Sequence, residues 1–262
     1  MKLFQISLPR TRSSMLFDST SEWQIQTQGL YEVDGHPELF LEVARNMEFV
    51  DRKVEKIHTS EMYPVIHEDG IKMHYIYPLV FNDVRSRNQY KINLLKQEKA
   101  RGREYLIKGT LNMAENCEEV LEFFKDRKIV LTTREDREAM IMSFFYAWES
   151  KLFQSRHNNL DLYKEKMSKG VVVNDQIIDS YIPFLKQYEQ IESYLKDNNI
   201  PYTVITYEQL ENSDTISELV GTDEWKKYVT DKKLPIHIEK DYRKLIHNYD
   251  EVKERLVKER VI

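Results

Sequence analysis

A single cysteine, Cys117, among 262 residues excludes an intrachain disulfide and any thiolate metal cluster, and points to a reducing, cytoplasmic setting. No apolar run approaches the ~18 residues of a membrane span. The opening stretch Leu3-Phe4-Gln5-Ile6-Ser7-Leu8 is too short for a signal-peptide core and is interrupted at once by Pro9-Arg10. Basic charge is not in excess: 39 Lys+Arg against 44 Asp+Glu leave a net charge of −5. The broad cationic field of a duplex-DNA or anionic-membrane binder is therefore missing, and neither nucleic acid nor a membrane is an expected partner. The seven Gly and seven Pro are scattered, with no repeat, linker or low-complexity tract, so 1–262 is expected to be one domain. His58, His67 and His74 lack the close pairing of a zinc site, and no metal is expected.

What is present is enough apolar surface for a substantial core, 41% hydrophobic residues beside 32% charged ones. Leu3 to Leu8 reads as a buried strand stopped by Pro9, with Ser13 and Ser14 opening a helix behind it. Pro37 starts an amphipathic helix through Leu39, Phe40, Val43, Ala44 and Met47. Met73, Tyr75 and Tyr77 alternate as a half-buried strand or a loop would. Asn82 or Asp83 can cap a helix running to about Lys99, with Val84, Ile92 and Leu95 inward.

Beyond that point strands and helices alternate. Tyr105 to Lys108 reads as a strand, Glu115 to Lys125 as a helix, Lys128 to Thr133 as a strand and Asp136 to Phe153 as a helix. A long helix from Asp175 to Asn198 follows, then a strand from Tyr202 to Tyr207. The tail from Asp241 is helical, docked through Ile246, Val252 and Leu256. This order requires parallel crossovers and an α/β fold of at least four strands.

Two segments could bind an anion. In Pro9-Arg10-Thr11-Arg12-Ser13-Ser14, a turn after a first strand leads into a helix N-terminus, whose amides and dipole favour negative charge. Arg10 and Arg12 add cations and the serines add hydroxyls, although a capped helix with two solvated arginines would read the same way. An NTP-hydrolysing P-loop would want Lys before Ser13, where Arg12 stands. In the second segment, Leu131-Thr132-Thr133-Arg134 ends a strand at the edge where open parallel sheets bind ligands. Ser143 lies about two turns into the next helix and could face the same anion as Arg134.

In order and spacing these segments resemble the sulfotransferases that use 3′-phosphoadenosine 5′-phosphosulfate (PAPS). Pro9 to Leu16 is similar to the family's 5′-phosphosulfate loop in its Arg-first form, with Arg12 where the family commonly has Gly. Arg134 with Ser143 is similar to its 3′-phosphate site, Arg137 being the other arginine available there. Tyr207-Glu208-Gln209-Leu210 resembles the family's Tyr-Glu-Asp-Leu stretch, and Ile246 to Val252 has a looser likeness.

The resemblance implies a P-loop-like three-layer sandwich, a central parallel sheet flanked by helices. It also implies transfer of a sulfuryl group from PAPS to a hydroxyl, on a small molecule or a carbohydrate, by in-line displacement without a metal. Arg10 and Thr11 to Met15 (Thr11, Arg12, Ser13, Ser14, Met15), with Arg134 and Ser143, would then hold the donor. Glu38, just after Pro37, would be the base, with His36 as the other candidate. Lys108 at the end of its strand would touch the sulfonate or the acceptor. Residues 50–104 would wall the acceptor pocket. Taken without the resemblance, Glu38 is a first-turn acid at a helix dipole, Lys108 a solvated strand end, and Tyr207 and Glu208 a hydrogen-bonded strand terminus. Phe144, Phe145, Tyr146 and Trp148 read as core. A P-loop small-molecule kinase and a catalytically silent nucleotide-binding module are the alternative functions.

Overall fold

The structure, a computed structural model, describes residues 1–8, 10–30, 62–67, 70–75, 84–106, 108–109, 116–150, 164–165, 167–229 and 240–262. Strand β1 (Leu3–Ser7) is buried at all five positions, as a strand covered on both faces must be. It pairs in parallel with β4 (Lys108–Gly109), Gln5 opposite Lys108. Strands β5 (Lys128–Thr133) and β6 (Tyr202–Thr206) complete a four-stranded sheet in the order β4-β1-β5-β6. Strands β2 (Met62–His67) and β3 (Gly70–Tyr75) form a separate antiparallel hairpin. The fold is α/β, and its helices lie between successive strands of the parallel sheet.

The chain divides into two contact units and passes between them after Ser7, Ser19, Leu131, Lys186 and Val204. The first comprises Met1–Ser7, Thr20–Leu131 and Gln187–Val204. Here Phe4 stacks on Phe124 at 3.8 Å between ring centroids. The end of α1 (Ser13–Gln28) is tied to β1 where the Leu3 amide donates to Gln24 Oε1 at 2.8 Å. Helix α2 (Val84–Ala100) buries Ile92 and Leu95 as its spacing predicts. It also buries Glu98, whose carboxylate is only 3% exposed and accepts from Arg103 and Arg101 and from the Tyr105 hydroxyl. Helix α3 (Cys117–Phe123) buries Val120 and Leu121. Burial pushes the half-buried Cys117 thiol up to about 12, which disfavours the thiolate.

Of the expected Tyr105 to Lys108 strand, Tyr105 makes an isolated bridge and Lys108 opens β4, while Ile107 lies outside the described residues. The apolar character of Tyr105 and Leu106 is accounted for by burial. The backbone of Tyr105 is occupied by a side chain, its carbonyl accepting from Arg127 Nη1 at 2.8 Å.

The second unit comprises Leu8–Ser19, Thr132–Lys186 and Ile205–Ile262. Helix α4 (Arg137–Ser150) buries every residue from Met140 to Ala147, and Asp136 caps it by accepting the Ala139 amide. Phe144 stacks on Tyr181 of α5 (Asp175–Asp197) at 4.0 Å. Phe144, Phe145 and Tyr146 are core, as their helical spacing predicts, while Trp148 is half-buried. Helix α6 (Ser213–Val220) is capped by Asn212 and closed by Gly221 at φ 75°. The tail folds into α7 (Tyr242–Leu245) and α8 (Tyr249–Lys258), with Ile246, Val252 and Leu256 buried. Gly170 is needed beneath this tail: at φ 62° a Cβ would lie 2.6 Å from the His247 ring. Among the described residues no helix is long and apolar enough to cross a membrane.

Candidate anion-binding site

All the geometry that follows lies within the second unit. The chain leaves Leu8, whose amide donates to the Thr132 carbonyl at 3.5 Å, and turns sharply before α1. Two residues of the turn are left-handed, Arg10 at φ 67° and Arg12 at φ 54°, a conformation that costs a non-glycine residue roughly 1–2 kcal/mol. Glycine adopts such a positive φ without steric cost, whereas Arg12 holds it against strain. Thr11 between them is fully buried and pins the turn. Its hydroxyl donates to the Leu8 carbonyl at 2.8 Å. That uses its proton, so at the 2.8 Å contact with Thr132 Oγ1 it is Thr132 that donates. The Leu16 amide returns to the Arg12 carbonyl at 3.1 Å, which makes Arg12 the N-cap. The amides of Ser13, Ser14 and Met15 consequently have no acceptor within the helix.

Three guanidinium groups gather at this turn. Arg10 Nε donates to the buried Ser143 hydroxyl at 2.8 Å. Arg12 and Arg134 both lie over the ring of Tyr207, 4.1 Å and 4.3 Å from its centroid, within the range where a cation is attracted to an aromatic face. Tyr207 is held by its amide, which donates to the Thr133 carbonyl at 2.8 Å.

Two carboxylates partly offset this charge. Glu211 Oε1 accepts from Arg12 Nη2 at 2.8 Å but is 59% exposed. Glu208 Oε1 is 3.8 Å from Arg134 Nε, while its Oε2 accepts the Glu135 amide at 3.2 Å. At 3.8 Å the Arg134 contact is too long for a hydrogen bond, and among the described residues the buried Arg134 Nε has no hydrogen-bond partner. Burial raises the phenol of Tyr242, in α7, above the ordinary tyrosine range, against the positive charge of Arg10 and Arg134.

The residues expected to bind an anion are thus brought together in part. Arg10, Arg12, Arg134 and Ser143 share one cluster. Thr11 acts beneath it, by holding the turn, and not through a free hydroxyl. Met15 is half-buried one turn into α1, and Ser13 and Ser14 contribute backbone to the first turn. Arg137 is exposed at the first residue of α4, and it is Arg134 that stacks on Tyr207.

Lys108 differs from its expected place. It opens β4, opposite Gln5 in the body of β1, and does not end a strand. Glu38, His36 and the Pro37 helix lie outside the described residues. Tyr207, expected as a strand terminus, is that and also the surface on which two arginines rest. Tyr242 carried no sequence signal beyond being an aromatic in a charged tail. Among the described residues no group of three or more His, Cys, Asp or Glu is placed to hold a metal ion. No family model matches the chain, and no curated protein matches it significantly.

Proposed function

We propose that the chain is a PAPS-dependent sulfotransferase acting on a hydroxyl of a small molecule or carbohydrate, built on a P-loop-like three-layer sandwich. The observation that supports this most is the convergence of Arg10, Arg12 and Arg134 on Ser143 and Tyr207 at the N-terminus of α1. PAPS carries roughly four negative charges, and a net-acidic chain that binds it must concentrate cations and oriented amides in one place. The buried Arg134 Nε, lacking a hydrogen-bond partner, is a donor of the kind an anionic oxygen satisfies.

On this reading Arg10 and the amides of Ser13 to Met15 hold the 5′-phosphosulfate, and Arg134 and Ser143 the 3′-phosphate. PAPS supplies the sulfuryl group; the acceptor's new S–O bond forms as the bond to the bridging oxygen of the nucleotide breaks. Arg10, fixed by Ser143 before any ligand arrives, stabilises charge that develops at that bridge without reorganising at the moment of reaction. Glu38, or His36, takes the acceptor proton. The test is a thermal-shift panel. Adenosine 3′,5′-bisphosphate should raise the melting temperature in proportion to ligand excess, and ATP with magnesium and NAD should not. A shift with magnesium ATP alone would replace this reading with a kinase.

A further inference from the structure

Arg12, Arg134 and Tyr207 come from three separate parts of the second unit: the N-cap of α1, the residue after β5 and the residue after β6. The segment that begins at Tyr207 clasps the end of β5 on both sides of Arg134. The Tyr207 amide donates to the Thr133 carbonyl at 2.8 Å, and Glu208 Oε2 accepts the Glu135 amide at 3.2 Å. Arg134 therefore leaves a backbone fixed against the ring it lies over, 4.3 Å from the centroid. Arg12 leaves from a left-handed residue and reaches the same ring at 4.1 Å. Sharing one centroid puts the two cations no farther apart than about a Debye length, roughly 8 Å at physiological salt, so their repulsion is not screened away. The electron-rich ring face offsets it by attracting both. The neighbouring carboxylates balance the pair only in part: Glu211 is 59% exposed, and Glu208 stands 3.8 Å from Arg134 Nε. Both arginine side chains keep a solvent-facing part, 13% for Arg12 and 16% for Arg134, where a ligand oxygen can meet them.

We propose that Tyr207 is a positioning residue of this site, its ring holding Arg12 and Arg134 together as one receptor for a dianionic phosphate group. The assignment rests on the anion-site reading above and extends it, by adding Arg12 to the end of the ligand that Arg134 holds. A phosphate monoester carries close to two negative charges at neutral pH and so balances two cations at once. Its oxygens also match the planar edge of a guanidinium. A monoanion such as a sulfate ester would leave one of the two cations uncompensated. The role belongs to the ring and not to the hydroxyl, because the attraction of a cation to an aromatic face is one that phenylalanine shares.

The test compares the parent, Tyr207→Phe and Tyr207→Leu by calorimetry, each also in an Arg12→Ala background, with adenosine 3′,5′-bisphosphate and inorganic pyrophosphate as separate probes. Tyr207→Leu should weaken whichever probe binds by roughly fivefold to twentyfold, the loss of two cation–ring contacts, and Tyr207→Phe should stay within about twofold of the parent. In the Arg12→Ala background Tyr207→Leu should cost markedly less, since half of what the ring holds is gone. A merely structural tyrosine would lower the melting temperature and leave the affinity of the folded fraction intact, which overturns the proposal. So does an equal cost of Tyr207→Leu in both backgrounds. A Tyr207→Phe protein as weak as Tyr207→Leu would put the hydroxyl on the ligand and also overturns it. If Tyr207→Leu does not fold, Tyr207→pentafluorophenylalanine keeps an aromatic ring but reverses its attraction for cations, and binding unchanged by that substitution overturns the proposal. Nucleotide binding that is indifferent to the ring leaves the nucleotide reading standing without this inference. Pyrophosphate binding that depends on the ring, without nucleotide binding, upholds the arginine pair and removes the nucleotide reading. Failure of the parent to bind either probe removes both.

Discussion

Thr11→Val probes the support of the arginine turn without touching a charge. The hydroxyl it removes donates to the Leu8 carbonyl and accepts from Thr132, both at 2.8 Å and both buried. Valine fills nearly the same volume, so no cavity is created. Each bond contributes about 0.5–1.5 kcal/mol net, and a buried group left without a partner adds to the loss. The expected destabilisation is about 1.5–3 kcal/mol. At roughly 2–4 °C per kcal/mol for a chain of this size, the melting temperature should fall by about 3–12 °C.

The pairing can be separated from the carbonyl contact with Thr132→Val. If the two hydroxyls bond to each other, Thr132→Val should cost less in the Thr11→Val background than in the parent, by roughly 0.5–1 kcal/mol. Scanning calorimetry on the four proteins measures both quantities. A Thr11→Val protein melting within 1–2 °C of the parent, or strict additivity in the cycle, would refute the idea that this hydroxyl holds Arg10 and Arg12 in their left-handed conformations.

Glu211→Gln should leave stability nearly unchanged, because an ion pair this exposed contributes roughly 0–1 kcal/mol. It should tighten adenosine 3′,5′-bisphosphate binding by about twofold to fivefold, by freeing Arg12 from a competing carboxylate; weaker binding would mean that the carboxylate positions Arg12 for the ligand. Glu98 gives a pH prediction within the first unit. Hydrogen bonds from Arg103 above all, then from Arg101 and Tyr105, hold its carboxyl at about 2 against burial, which acts upward. A depressed acid contributes stability that is present above its unfolded value near 4.5 and is lost as pH falls toward 2. Urea midpoints of parent and Glu98→Gln should therefore differ most at neutral pH and converge between pH 4.5 and 2; a constant difference over that range would show that the carboxylate charge is not what the arginines hold.

The parts of the fold legible in the sequence were those where burial and periodicity coincide. Strand β5 runs Lys128–Thr133 as expected because its apolar, β-branched centre is buried. Helix α5 spans Asp175–Asp197 because Ile177, Tyr181, Leu185, Tyr188, Ile191 and Leu195 share one buried stripe. The expected Tyr105 to Lys108 strand is legible only in part, because Leu106 is buried without strand pairing and β4 needs only two residues to join β1. The arginine turn was legible as a turn, whereas its left-handed residues were not, since nothing local marks a non-glycine residue as strained. The role of Tyr207 escaped for a different reason: it comes from Arg12 and Arg134, about 195 and 73 residues away, and neither pattern nor propensity reports contacts over such separations.

The central claim is that Arg10 and Arg134 grip one doubly phosphorylated adenosine. Calorimetric titration of adenosine 3′,5′-bisphosphate into the parent, Arg10→Ala and Arg134→Ala tests it most directly. Each charge-assisted contact should contribute about 1.5–3 kcal/mol, so each variant, still folded, should bind at least tenfold more weakly than the parent. Folded variants that both bind with the parent's affinity would contradict the account.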